Sequence, residues 1–317
     1  MKRTSYLCAI LVVLFAQGSI RAWSGPGHAA VAVMAYRELA ANPALRTKLT
    51  DLLKGHPAFN AWKQEFDAKK STFPAGLDLG MFLFIRASTW PDAIRGTHDP
   101  KLKPFDHPNW HFVDYPLTPP TFATGPSPAP ADDVLFGIAQ SAETLANKNA
   151  ARVQRAASLS WLIHLVGDLH QPLHGATLIS AGFPAPDGDR GGNKFLIVQN
   201  AEQKKHKQTT KLHSFWDGRL GADQVPDPVQ AVLDAKMLKA THARSSLSEL
   251  SAGDDVTLWS FESRDEAIKD VYRFKNTMLV RKAVLPFGYV TASHVVARRR
   301  LALAGYRLSD QVKKVGF

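Results

Sequence analysis

Cysteine is all but missing from this chain: Cys8 is the sole one in 317 residues. A disulfide-stapled scaffold is therefore excluded. Asn-x-Ser/Thr sequons are absent as well, so N-glycosylation is not expected. Acidic residues are scarce, with 28 Asp and Glu against 39 Lys and Arg and a formal charge of +11. That excess favours an anionic partner, such as nucleic acid or an anionic lipid surface, but charge alone does not choose between them. Apolar runs long enough to matter are confined to the start. Lys2 and Arg3 form a basic head, Tyr6 to Phe15 an apolar run, and Ile20-Arg21-Ala22 a small-residue end. The run is too short for a lasting membrane anchor and reads as a secretory signal peptide over residues 1–22. Cleavage after Ala22 would expose Trp23 and remove Cys8, which lies too early for a lipoprotein anchor. It also removes Lys2, Arg3 and Arg21 but no acid, taking the charge from +11 to +8. The expectation is a secreted or periplasmic protein. Without disulfides, its stability must come from a large core or from bound metal.

What is present is an ordinary globular composition, 45% hydrophobic and 21% charged, which excludes disorder, collagen and coiled coil. Apolar periodicity predicts helices over His28–Ala41, Asp78–Arg95, Val134–Ala146, Ala151–His170, Ser263–Leu285 and Thr291–Lys314. Pro172 ends the fourth of these. Asp114 to Asp133 holds six prolines and is expected to be a loop; Lys194 to Gln199 reads as one arm of a β-hairpin. No internal repeat occurs. The fold class expected is mainly α, with a small β-hairpin and a single domain over residues 23–317.

The densest chemistry lies in His164-Leu-Val-Gly-Asp168-Leu-His170-Gln-Pro-Leu-His174. His164 and Asp168, four apart, share one helix face, and the turn at Pro172 could swing His174 back towards them. Imidazole and carboxylate are the donors zinc takes in hydrolytic sites. His213-Ser-Phe-Trp-Asp217 repeats the four-residue spacing. Trp90-Pro-Asp92 and Trp110-His111-Phe112-Val-Asp114 add polar groups among aromatic residues. Taken singly, each of these reads as well as a helix cap or a satisfied core residue. Finally, cleavage before Trp23 would set a free amine and its carbonyl, a possible metal chelate, five residues ahead of His28.

In this order the elements resemble the S1/P1 nuclease family, zinc-dependent single-strand nucleases related to zinc-dependent phospholipase C. The resemblance covers essentially the whole chain after Ala22. It implies three Zn2+ ions: one held by Asp92, His111, His164 and Asp168, a second by His174, His213 and Asp217, and a third by Trp23 through its main chain, His28 and a bridging Asp168. It further implies hydroxide generation on closely spaced metal ions, with Asp168, Asp92 and Asp114 as catalytic residues. Phe112 and Asp114 match positions that stack on and hydrogen-bond a nucleobase, which requires an unpaired base. His170 matches a histidine that supports the ligands without being one. The implied activity is endonucleolytic hydrolysis of single-stranded DNA and RNA to 5′-phosphorylated products, with 3′-nucleotidase activity as a further expectation. No membrane anchor or protein partner is implied, and a monomer is expected. The chain departs from fungal relatives in Tyr115-Pro116-Leu117, where they carry acids, in Gly221, where some have Asn, and in lacking their cysteines, which suggests a bacterial form. The alternatives are a zinc phospholipase C acting on lipid head groups, whose second metal site carries Glu where this chain has Asp217, and a metal-stabilised anion-binding protein without turnover.

Overall fold

The structure, a computed structural model, describes residues 23–124, 132–223 and 225–315. The expected signal peptide, residues 1–22, lies outside the described residues, as does the stretch holding Pro126, Pro128 and Pro130. The helices are α1 (Gly25–Glu38), α2 (Pro43–Leu53), α3 (Phe59–Lys69), α4 (Leu79–Ile94), α5 (Val134–Ala146), α6 (Arg152–Asp168), α7 (Ala201–Lys205), α8 (Leu212–Asp217), α9 (Pro228–Thr241), α10 (Val256–Glu266) and α11 (Tyr289–Lys314). The strands are short: β1 (Pro116–Thr118), β2 (Ala123–Thr124), β3 (Thr177–Leu178), β4 (Leu196–Ile197), β5 (Thr210–Lys211), β6 (Arg273–Phe274) and β7 (Thr277–Met278). The fold is mainly α, as expected.

Local chemistry sets several helix starts. Asn42 accepts from Leu45 N–H at 3.1 Å, Asp78 from Met81 N–H at 2.8 Å, and Asp133 from Leu135 N–H at 2.9 Å. Each side chain satisfies a donor that the first helical turn leaves unpaired, worth about 1 kcal/mol. α1 is buried on all sides from Gly25 to Tyr36 and packs against α4, α9 and α11. Such a helix must lie inside, since no face of it can meet water cheaply. α6 is likewise buried from Leu159 to Asp168 and is flanked by α4 and α5. Truncating Phe84 or Leu162, both without exposed surface in this core, would cost about 2–5 kcal/mol.

A second core gathers Leu117, Leu173, Ile197, Phe215, Trp216, Tyr272 and Tyr289 around the small sheets. β1 lies between β2 (antiparallel) and β3 (parallel), with Leu117 opposite Thr124 and Leu178. The proline-rich loop thus contains a strand pair. β4 pairs antiparallel with β5, but α7 intervenes, so Lys194–Gln199 belongs to a longer excursion than a hairpin. The predicted helix over Ser263–Leu285 is corrected: α10 runs from Val256 to Glu266, and a single π turn over Ala267–Val271 ends it. Lys275 and Asn276 then take φ of 50° and 63° and form the tight turn between β6 and β7. Apolar spacing through Val271, Leu279 and Val284 mimicked a helix, while the left-handed turn that breaks it was signalled only by Asn276. Periodicity also passed over α2, α3 and α9, which are shorter or more polar.

Candidate metal centre

Six segments deliver the predicted ligands to one buried place. His28 comes from α1, Asp92 from the last turn of α4, His111 from the loop after it, His164 and Asp168 from α6, His174 from the turn after α6, and His213 and Asp217 from α8. Three trios have ligand atoms within 4.8 Å of one another: His28, His164 and Asp168; Asp92, His111 and His164; His174, His213 and Asp217. Asp168 is central. Its Oδ2 lies 2.9 Å from His111 Nδ1 and 3.1 Å from His164 Nε2, and its Oδ1 lies 3.2 Å from His28 Nε2. Asp92 Oδ1 stands 3.9 Å from both His111 Nδ1 and His164 Nε2. In the third trio His213 Nε2 is 3.6 Å from Asp217 Oδ2.

The orientation of these rings comes from backbone carbonyls. His164 Nδ1 donates to Ser88 O at 2.7 Å, His213 Nδ1 to Gly191 O at 2.6 Å, and His174 Nδ1 to His111 O at 2.5 Å. With Nδ1 carrying the hydrogen, Nε2 presents its lone pair towards the cluster. Ser88 sits in a turn of α4 already loosened by Pro91, which has no N–H to give. Gly191 adopts φ of 56°, and a Cβ there would lie 2.5 Å from Leu173 O. Gly167 admits His28 in the same way: a Cβ at that position would lie 2.8 Å from His28 Nδ1.

The donor set fits a metal ion on its own chemistry. Asp92 Oδ1 and His174 Nε2 are buried with no hydrogen-bond partner. Leaving such atoms unpaired costs about 1–3 kcal/mol each, a cost a bound cation would remove from any of them it ligates. Electrostatics divide the set: against burial, Asp168 and Asp92 raise His164 to about 9, so it carries a proton that a bound cation would have to displace. Burial holds the His28 and His111 imidazoles below their ordinary range and drives His174 down to about 3, so all three are neutral at pH 7. Burial alone would raise Asp168, but His164 and the hydrogen bonds of His111, His164 and His28 hold it well below the usual carboxylate range. Asp217 goes the other way. Burial raises it well above that range, opposed by Gln171 Nε2, which donates to its Oδ1 at 2.7 Å.

Gln171 is a residue that sequence reasoning overlooked. It lies between His170 and Pro172, and only its contact with Asp217 reveals its task. His170 is absent from all three trios. Its Nδ1 faces Val166 O at 2.7 Å and its Nε2 accepts from Arg307 at 2.9 Å, so it joins the end of α6 to α11. Trp23 is fully buried, and the N–H of the next residue, Ser24, donates to Asp217 O at 3.1 Å. The main chain of this segment thereby runs beside α8.

A cleft of ≈410 Å³ opens beside His213 and is lined by Phe112, Asp114, Arg190, Gly191 and Asn193. Asp114 is half-buried, and its carboxyl is pushed up to about 7 by desolvation and by Asp189, against the pull of Arg190. Arg190 donates to Asp187 at 2.5 Å from a backbone with φ of 55°. Sequence reasoning gave Arg190 and Asn193 no part, because neither lies in a motif. A larger hollow of ≈610 Å³ between α5 and α6 contains none of the predicted site residues.

Comparison with known proteins adds a family and two relatives. Residues 23–315 match the family model described as S1/P1 Nuclease. The chain is 26% identical over 172 residues to Endonuclease 3 of Arabidopsis thaliana, covering 50% of this chain and 51% of that protein. It is 22% identical over 191 residues to Endonuclease 4 of the same plant, covering 57% of this chain and 56% of that protein. The chain thus spans about half the length of the curated relatives it matches.

Proposed function

This chain belongs to the S1/P1 nuclease family, and from that premise we propose that it is a zinc-dependent phosphodiesterase that cuts single-stranded DNA and RNA to 5′-phosphorylated products. The observation that carries the proposal is the convergence of three buried His/Asp trios beside a cleft lined by Phe112 and Asp114. Asp92, His111, His164 and Asp168 would hold one metal ion. His174, His213 and Asp217 would hold a second, and Asp168, His28 and the main chain of Trp23 a third. When bound, the zinc ions supply Lewis acidity towards phosphate oxygens and lower the pKa of water.

The chain's own groups do the rest. Asp168 faces His28, His111 and His164 at once and so sets the spacing of the first and third positions. Gln171 and the Gly191 carbonyl fix Asp217 and His213, and thereby the second. Phe112 offers a ring face to a base, and Asp114 a hydrogen-bonding edge. Only an unpaired base can lie between such groups, which gives the preference for single strands. Arg190 sets a cation at the rim of that cleft, where a phosphate flanking the base would lie. The same constellation would release phosphate from 3′-nucleotides. Export through the signal peptide of residues 1–22 is part of this proposal.

The decisive experiment incubates the zinc-loaded protein with single-stranded DNA, RNA, duplex DNA and phosphatidylcholine. Cleavage of the single strands with 5′-phosphate ends is expected. Release of phosphocholine without nucleic-acid cleavage would replace the proposal with a phospholipase C, and zinc binding without turnover would leave an anion-binding protein.

A further inference from the structure

No acid occurs between Asp270 and Asp310, a stretch of 39 residues that carries eight Lys and Arg. Within it, Arg300 and Arg307 pair with Glu262 and Arg299 with Glu249. The cations of the β6–β7 hairpin and the loop behind it have no such partner. Arg273, Lys275, Arg281 and Lys282 form no ion pair with any described carboxylate within 4.0 Å. Lys275, Arg281 and Lys282 are exposed. Aromatic rings stand where acids would: Arg273 lies 4.1 Å over Phe122, Lys275 5.4 Å over Phe274 and Arg281 5.5 Å over Phe183.

The same loop presents apolar surface outward. Phe287 is 100% exposed and Val280 68%. That exposure comes from an anchored backbone. Lys282 N–H donates to Leu196 O at 2.7 Å, Leu285 N–H to Val198 O at 2.9 Å, and Tyr289 N–H to Pro286 O at 3.1 Å. The surface is also tied to the cleft. Tyr272, next to Arg273, donates to Asp189 at 2.7 Å, and Asp189 lies between Asp187 and Arg190 of the cleft wall. β4, which the loop flanks through Leu196 and the Val198 that follows the strand, pairs with β5, and β5 leads directly into His213 on α8.

We infer that this face is a docking surface for the single strand beyond the nucleotide held in the cleft. Unpaired cations attract a polyanion, and an exposed phenyl ring stacks on any unpaired base. A duplex offers the charge but keeps its base faces covered. The inference rests on the single-strand reading of the cleft, and it assigns to the loop affinity for long substrates rather than chemistry.

The test uses the zinc-loaded enzyme with Lys275→Gln/Arg281→Gln/Lys282→Gln in one variant and Phe287→Ser in another, all at the surface. Two substrates are compared, a 20-nucleotide DNA strand and a dinucleotide, with a phosphorothioate 20-mer for binding. The triple variant should bind the 20-mer about tenfold more weakly, with a salt dependence shallower by about two in log–log slope. Phe287→Ser should weaken it about fivefold or more at unchanged slope. Dinucleotide kcat/KM should stay as in the parent. Equal losses on both substrates, or none on the 20-mer, would overturn the inference. So would loss of binding to phosphatidylglycerol vesicles with the 20-mer unaffected, which would make the face a lipid surface. If the parent binds the 20-mer through these residues but cleaves nothing, the docking surface stands and the nuclease reading falls.

Discussion

The helical half of the site and the half built on turns and small strands solve the same problem differently. On α1, α4 and α6, His28, Asp92, His164 and Asp168 are aimed by helix packing, and Asp168 lies among three imidazoles. Around α8, His174, His213 and Asp217 are aimed by loops, through the carbonyls of His111 and Gly191 and the amide of Gln171. The first half holds its carboxylate ionised; the second holds Asp217, and Asp114 in the cleft, high. Charge is thus concentrated at Asp168 and its neighbour His164, which two of the trios share, while the periphery is organised by neutral hydrogen bonds. A rigid charged centre inside a loop-built rim is an arrangement in which the rim can vary in specificity without dissolving the centre.

Removing metal from both halves at once should have the largest effect. With ligands drawn from separate segments, binding contributes directly to folding, by about 4 kcal/mol when free zinc is a thousandfold above its Kd. Calorimetry with and without chelator should show a marked fall in Tm together with complete loss of turnover. An unchanged Tm would deny the centre any structural role.

Substitution can then separate the halves. Asp168→Asn, at the shared centre, should lower turnover by at least about a hundredfold, since even partners behind a ligand contribute 10–100-fold. It should also reduce bound zinc by more than one equivalent, as read by elemental analysis. Asp217→Asn should lose less activity and one equivalent. Equal losses would erase the distinction between a shared and a single-site carboxylate.

The contrast in carboxylate ionisation has a consequence for stability. Asp114 binds its proton more tightly in the native state, at about 7, than in the unfolded chain, at 3.8. The native state therefore loses stability as pH rises from about 4 to 7, by about 2 kcal/mol once solvent in the cleft is allowed for. Urea unfolding of Asp114→Asn against the parent should show the variant gaining on the parent across that window and level with it near pH 4. A constant difference at all pH values would contradict the raised carboxyl.

Two glycines give the finest comparison. Gly191→Ala forces a side chain towards Leu173 O at a φ of 56° and should displace the carbonyl that orients His213. Zinc affinity at the loop-built position should fall about tenfold, leaving the helical one intact. Gly167→Ala presses on His28 instead and should weaken only the position His28 serves. Calorimetric zinc titrations of the two variants would resolve which binding step is lost in each.

Sequence alone determined the parts whose causes are local. Val134–Ala146 and the long helix ending before Pro172 follow from periodicity, a capping Asp133 and the missing proline N–H. The four-residue spacing put His164 with Asp168 and His213 with Asp217, because a helix turn brings such positions to one face. Tertiary structure decided everything that depends on distant partners. It set His28 against Asp168 through the close approach of α1 to Gly167, and it turned His170 away to Arg307 although it stands among the ligands in sequence. It gave Gln171 its task on Asp217, and it ended the expected helix in the π turn over Ala267–Val271. Side-chain spacing reports what neighbours along the chain can share. Which carbonyl meets a ring nitrogen, and which carboxylate loses its water, are properties of the packed chain, because desolvation and hydrogen bonding are paid in by residues far apart in sequence.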